Sequence, residues 1–366
     1  MTPRSRALLR TSALAWLASR AVVAIAAVGV WIVESTGRGP YPTFDRGLFA
    51  WDGDWYRLIA EHGYGTGGEE IRFFPLYPWL GRALGAPLGS EGAGLLIVAN
   101  ASALVAGLLI GAVALRATDR PMVAHRTIWL VMLWPASFVL VFAYSEALFL
   151  VLTAWVWLAA RDRRWIQATV AGCAAGATRP TGLALTVLVA LLAAPGWSAS
   201  DIVERLRRGA AIAAPVGGFV LVGLVAADQH GAFRGPIDTQ DGLRGDLVDP
   251  FRRFATGIGD AFGAERFGDG LHLPFAVVAV AGVVLVARHV GRAEALYAGL
   301  IVLVAISADN WNSLERYTLN AFPVMIGFAA ALSDQARERW WWTAIASSSV
   351  AMIGTTTLAW TGDYVP

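Results

Sequence analysis

Apolar runs of membrane-crossing length recur from one end of this chain to the other, and arginine crowds every second connection between them. A bilayer core asks for about 20 apolar residues per helix. Eleven stretches qualify in whole or in part: 12–33, 93–115, 127–143, 147–160, 165–177, 182–194, 210–227, 273–287, 295–307, 318–332 and 341–360. Hydrophobic residues make up 56% of the 366 and charged ones only 15%, which excludes an ordinary soluble domain. The fold class expected is an all-α polytopic membrane protein with about eleven transmembrane helices. The runs between 127 and 194 are short, and periodicity does not separate spanning helices with polar ends from pairs that dip in and return.

Charge assigns the sides. Arg4, Arg6 and Arg10 precede the first run without a small-residue cleavage site, which predicts an uncleaved first helix that starts in the cytoplasm. The connections on that side, with the amino terminus, hold 16 Arg against 7 acids, a net +9. Those on the other side hold 12 Arg against 20 acids, a net −8. Short arginine-rich loops stay cytoplasmic, so the expected site of residence is a bacterial plasma membrane with the acidic connections outside. Arg20 is left within the first helix, where its long side chain is expected to snorkel toward the cytoplasm. All 29 basic residues are Arg, which reflects a GC-rich coding genome more than a mechanism, and the net charge of +2 gives no sign of a nucleic-acid partner. The single cysteine, Cys173, excludes an internal disulfide or a cysteine-based metal cluster and reads as a small packed thiol.

Two external stretches are long, 34–92 and 228–272, and loops of that length are usually functional or carry short helices. No soluble domain, repeat or low-complexity linker interrupts 1–366, so one membrane domain is expected. Within the first stretch Trp55–Glu61 has an amphipathic helical pattern, and Phe73–Leu80 is aromatic and broken by proline. Both suit the membrane interface. Gly65-Thr66-Gly67-Gly68 reads as a flexible turn, since it follows no strand that would make it a phosphate loop.

The chemistry concentrates in Trp51-Asp52-Gly53-Asp54-Trp55-Tyr56. Its two carboxylates admit three roles: deprotonating a hydroxyl, ligating a divalent cation through oxygen, or capping a helix that begins near Trp55. Glu61 and His62 follow, and His62 is the histidine nearest the acidic motif, where a hydrogen-bonded loop imidazole outranks a metal ligand. Tyr144-Ser145-Glu146 begins the fourth run at the external boundary, where a carboxylate needs a partner. Arg179, in Thr178-Arg179-Pro180-Thr181, fits a structural pair with Glu146, a phosphate clamp, or both. Glu315-Arg316-Tyr317 offers a second external arginine, for which a loop salt bridge is the plainer account. The topology gathers Asp52, Asp54, Glu61, Glu146, Arg179, Glu315 and Arg316 on one side, an acid base with arginine clamps of the kind that transfer from a lipid phosphate requires.

Trp51 to Tyr56, Ile59-Ala60-Glu61-His62-Gly63-Tyr64, Phe73-Phe74-Pro75-Leu76-Tyr77-Pro78, Tyr144 to Phe149 and Ala177 to Leu183 together resemble the PIG-V-like membrane mannosyltransferases, the family of GPI mannosyltransferase II and its bacterial relatives. The resemblance covers the amino-terminal half well and becomes diffuse after Leu183. It implies a GT-C fold with catalytic acids in the first external loop, and a polyprenyl-phosphate donor that usually carries mannose. Carried over, Asp52 becomes the catalytic base and Asp54 the second candidate, Arg179 and Arg316 bind the donor phosphate, and Glu61, His62, Tyr144, Glu146 and Glu315 support the site. Inversion in one displacement needs a base opposite the leaving group, and arginine can stabilise a phosphate leaving group without metal. A cofactor-free mechanism is therefore ranked above a divalent-cation one. The acceptor would be a glycolipid, a cell-envelope glycan or a protein hydroxyl. Two rivals remain: the same fold with lipid-linked glucose or arabinose, and a lipid-linked-sugar flippase, which would tolerate substitution of Asp52.

Overall fold

In the computed structural model, which describes residues 3–65, 68–245, 247–263, 265 and 268–362, the described residues are almost entirely helical, with one isolated bridge between Leu247 and Ala308. Thr66 and Gly67 of the expected turn lie outside the described residues, as do four positions of the 228–272 stretch, 246, 264, 266 and 267. Among the described residues, four helices are long and apolar enough to cross a membrane by length and composition: Pro3–Arg38, Glu91–Thr118, Ile202–His230 and Asp269–His289. The expected short runs are short helices. Trp165–Gly176 has 12 residues and Glu146–Arg161 has 16, and at 1.5 Å per residue they rise about 18 and 24 Å, less than a hydrocarbon core of about 30 Å.

Small residues set how closely these helices meet. Gly172 of Trp165–Gly176 meets Ala214 of Ile202–His230, Gly176 meets Pro215 and Phe219, and Gly218 meets Cys173 and Ala177, the interlocking of small-xxx-small pairs in packed membrane helices. A Cβ on Gly176 would lie 2.0 Å from the Pro215 carbonyl oxygen, and one on Gly218 would lie 1.9 Å from the Cys173 carbonyl oxygen. No side chain fits there. Cys173, half-buried, thus contributes its backbone to this close helix crossing.

The 127–143 run is not one helix. Pro121–Leu133 ends at Trp134, a buried 3-10 turn covers Pro135–Leu140, and the chain then runs to a new helix at Glu146. Irregular backbone inside an apolar bundle survives only if its carbonyls find donors. Side chains supply them here. Ser137 donates to the Val131 carbonyl at 2.6 Å, Ser348 to Leu133 at 2.6 Å and Thr355 to Pro135 at 2.6 Å. Arg20 Nη2 donates to the Leu140 carbonyl at 2.7 Å, and Asn100 Nδ2 to that of Val141 at 3.1 Å.

Arg20 therefore does not snorkel. Its Nε and Nη2 also bond Asn100 Oδ1 at 3.1 and 2.8 Å, and the guanidinium stacks 4.3 Å from the Trp16 ring. The sequence reading missed this because the acceptors are freed only by the break at Pro135. Arg20→Met is expected to lower stability by about 2–6 kcal/mol, since it strands the Leu140 carbonyl and the Asn100 carboxamide oxygen, each buried polar group left unpaired costing roughly 1–3 kcal/mol. Thermal unfolding in detergent reads the loss, and a melting point equal to wild type would contradict the structural role.

Ion pairs follow the sides assigned by charge. Arg116 meets Asp162, Arg120 meets Asp334 and Arg126 meets Glu338, all from connections placed on the basic side. Asp52 meets Arg316, Glu146 meets Arg179 and Arg253 meets Asp269, all from the acidic side. The first long stretch carries its own helices, chiefly Asp52–His62 and Leu76–Gly85, packed against the bundle.

Candidate active site

Trp51 fixes where the acidic motif begins. It sits at φ 58° and ψ −120°, a conformation costly for a bulky residue, held by its indole N–H donating to the Ala359 carbonyl at 2.7 Å. The helix Asp52–His62 starts directly after it, earlier than the Trp55 start expected, and neither Asp52 nor Asp54 caps it with a side-chain bond. Gly53 passes so close to the neighbouring chain that a Cβ would come 3.3 Å from the Leu48 carbonyl oxygen. Asp52 and Asp54 are two positions apart on a helix, about 200° of rotation. They consequently face different surroundings.

Asp52 enters a cavity of about 360 Å³, and Asp54 does not. Asp54 lies in a separate hollow of about 350 Å³ with Glu61, paired to Arg57 at 2.7 Å and Arg46 at 3.3 Å. His62 is exposed and 3.9 Å from Glu61, so neither reaches the Asp52 cavity.

Beneath Asp52 lies a buried chain of charges. Arg316 Nη2 donates to Asp52 Oδ2 at 2.8 Å, and its Nε donates to Glu146 Oε1 at 2.8 Å. Arg179 Nη1 reaches the same Glu146 oxygen at 2.7 Å and Ser145 Oγ at 3.0 Å. Glu146 is fully buried as the first residue of its helix, where the helix dipole also favours a negative charge. Burial disfavours the Arg316 cation, but Glu146 and Asp52 outweigh that and hold its pKa above the ordinary arginine value. Arg179 and Glu146 are thus joined as a pair, one of the arrangements the sequence left open. Glu315 turns away from the cavity and pairs with buried His272 Nδ1 at 2.7 Å, a partner that 43 residues of separation concealed.

Tyrosines brace the acids. The Asp52 N–H donates to the Tyr144 hydroxyl at 3.3 Å, and that hydroxyl donates to the Ala50 carbonyl at 3.2 Å. Tyr56 OH shares a 2.8 Å hydrogen bond with Ser145 Oγ. Burial raises the pKa of both phenols, with Asp52 adding to the rise, so each stays a neutral hydroxyl.

The cavity wall carries four arginines, Arg46, Arg72, Arg179 and Arg316, against one carboxylate, Asp52. It therefore favours an anion. Arg72 is the notable cation, because it stacks 5.6 Å from the Trp55 ring and 4.8 Å from that of Phe73 and makes no ion pair among the described residues. It was passed over in sequence because it lies outside every motif block. Phe73 and Phe74 line the cavity, Tyr56 packs edge-on to Phe73 and Tyr77, and Tyr64 donates to the Phe73 carbonyl at 2.6 Å. The two aromatic blocks of the first stretch are therefore one structural unit. Asn310, Asn312 and Ser313, polar residues that gave no motif, complete the wall together with Tyr317 of the Glu315-Arg316-Tyr317 block.

No family model matches the chain, and no curated protein matches it. The resemblance to PIG-V-like enzymes accordingly rests on motifs. Among solved structures the chain is similar to the oligosaccharyltransferase of Archaeoglobus fulgidus, crystallised with zinc and sulfate. That match has 14% identity and a TM-score of 0.44, and covers 93% of this chain and 52% of that one. The chain spans about half the length of that protein.

Proposed function

We propose that the chain is a membrane glycosyltransferase that moves a sugar from a lipid-phosphate donor to a hydroxyl acceptor at the extracytoplasmic face. The observation that carries the reading is one carboxylate, Asp52, held by Arg316 in the wall of an otherwise arginine-rich, aromatic cavity. Arg316 engages Oδ2, and Oδ1 makes no hydrogen bond among the described residues. That oxygen can accept the proton of an acceptor hydroxyl as its oxygen attacks the anomeric carbon. The bond from that carbon to the phosphate oxygen breaks, and the lipid phosphate leaves with the electron pair.

Inversion requires base and leaving group on opposite faces of the sugar. Arg316 and Arg179 are already bonded to carboxylates, and Arg316 is bonded to the base itself. Arg72, on the Trp55 and Phe73 wall without an acid partner, suits the leaving phosphate better, with Arg316 and Arg179 adding longer-range charge. The motifs favour mannose on a polyprenyl carrier, and the acceptor is a glycolipid, glycan or protein. The alternating charge pattern and the recurring apolar runs of the sequence support the finer reading of about eleven membrane segments in a GT-C-like arrangement, with the amino terminus in the cytoplasm of a bacterial cell.

Kinetics of transfer from labelled polyprenyl phosphate mannose test the assignment. Arg72→Gln is expected to lower kcat/KM about 10- to 100-fold, the size of one lost hydrogen bond to a charged group. Asp54→Asn should stay within about threefold of wild type, because exposed ion pairs contribute little. The reverse ranking would transfer the site to the Asp54 hollow. Asp52 and Asp54 face apart and form no shared oxygen cage, so transfer is expected to persist in excess chelator. Loss of activity that Mn²⁺ or Mg²⁺ restores would contradict the metal-free reading.

A further inference from the structure

A second cavity, of about 480 Å³, lies where the basic connections meet. The helix Glu146–Arg161 begins beneath the Asp52 cavity, where Glu146 bonds Arg316 and Arg179 of its wall, and ends at this one, so the two are roughly 22 Å apart along its axis. None of the residues assigned to sugar transfer lines it. Its wall holds Arg161, Arg163, Arg208 and Arg292 against one carboxylate, Glu294.

The arginines are not equally engaged. Arg208 bonds Glu204 at 3.0 Å and the carbonyls of Ala193 and Pro195 at 2.9 Å each, so it ties the ends of two helices together. Arg161 stacks 5.5 Å from the Trp157 ring, and the Trp157 indole donates to Glu294 Oε1 at 2.8 Å. Arg163 and Arg292 make no ion pair or side-chain hydrogen bond among the described residues. Arg163 takes φ 57° in the turn between two helices, a position usually given to glycine or asparagine. Arg292 opens the helix Arg292–Ile306, whose first N–H groups add partial positive charge. Leu191, Leu192 and Val290 supply an apolar side to the same hollow, and Leu191 is exposed.

We propose that this cavity binds the phosphate headgroup of an anionic glycerophospholipid, with Arg163 and Arg292 as its phosphate contacts and the leucines beside an acyl chain. Two unpaired guanidiniums beside an exposed apolar wall match a phosphate joined to hydrocarbon. The charge pattern puts this end in the cytoplasmic leaflet, where basic pockets between membrane helices hold such lipids. The site is independent of the proposed transferase activity.

Purified full-length protein in phosphatidylcholine nanodiscs, titrated with phosphatidylglycerol, tests it by melting midpoint and by native mass spectrometry of bound lipid. Wild type should retain phosphatidylglycerol and melt higher with it. Arg163→Gln/Arg292→Gln should bind it about tenfold or more weakly, the scale of lost charge-assisted contacts. Arg339→Gln, an exposed arginine of the same side stacked on Trp340, should bind as wild type does. Equal retention by the double variant, or equal loss in Arg339→Gln, would overturn the site. Inorganic phosphate that reproduces the stabilisation without lipid would overturn the lipid assignment. Single Arg163→Gln, read by mass spectrometry, decides the matter if the double variant does not stay folded.

Discussion

Asp52→Asn is expected to lower kcat for sugar transfer by about 10²- to 10⁴-fold, the contribution of a positioned general base, while KM for the donor stays close to wild type. The substitution is nearly isosteric. An amide oxygen can still accept from Arg316 Nη2 where Oδ2 does now, at 2.8 Å, so cavity shape and the bonds of Arg316 and Arg179 to Glu146 persist. What disappears is the carboxylate's capacity to take a proton. A fall in kcat with unchanged KM marks an interaction that matters only in the transition state. Wild-type transfer by a stably folded Asp52→Asn protein would remove Asp52 from the chemistry, whatever its place in the cavity.

The second large effect falls on stability. Glu146 is fully buried, and one of its oxygens takes bonds from Arg316 at 2.8 Å and Arg179 at 2.7 Å. Glu146→Gln leaves two buried guanidiniums with only Asp52, at the cavity wall, to balance them. Breaking one member out of a buried ion pair costs about 3–5 kcal/mol, because the remaining charge stays desolvated. Unfolding of the purified protein should show that loss. Combining Glu146→Gln with Arg179→Gln should recover part of it, since the second change removes an unbalanced cation. Additive losses in the double variant would contradict the coupling. The same variant bears on activity, because Arg316 would lose the anchor that aims it at Asp52.

The sequence made the cavity partly legible. The acidic motif, Glu146, Arg179 and Arg316 could be assigned to one side because arginine counts alternate between connections, and Asp52, Glu146, Arg179 and Arg316 meet in one chain of ion pairs. The separation of Asp52 from Asp54 was not legible. It depends on the helix starting at Asp52, which the strained Trp51 sets and no pattern announces. Arg72 was hidden because it falls between the motif blocks and gains its place only when the first stretch folds its Trp55 and Phe73 rings together, and the pairing of Glu315 with His272 because the partners lie 43 residues apart. Arg20 shows the same limit, since its acceptor carbonyls exist only because the chain breaks at Pro135. Periodicity marked the apolar runs well, but it did not distinguish the four long helices from the short buried ones around 127–194.

The most direct test follows a doubly labelled donor, with distinct labels on the mannose and on the polyprenyl phosphate, in liposomes that contain the purified wild-type protein and a cell-envelope acceptor extract. The account predicts that the sugar label passes to the acceptor while the lipid label remains as polyprenyl phosphate. Movement of the intact donor across the bilayer, with sugar and lipid still joined and no acceptor labelled, would contradict it.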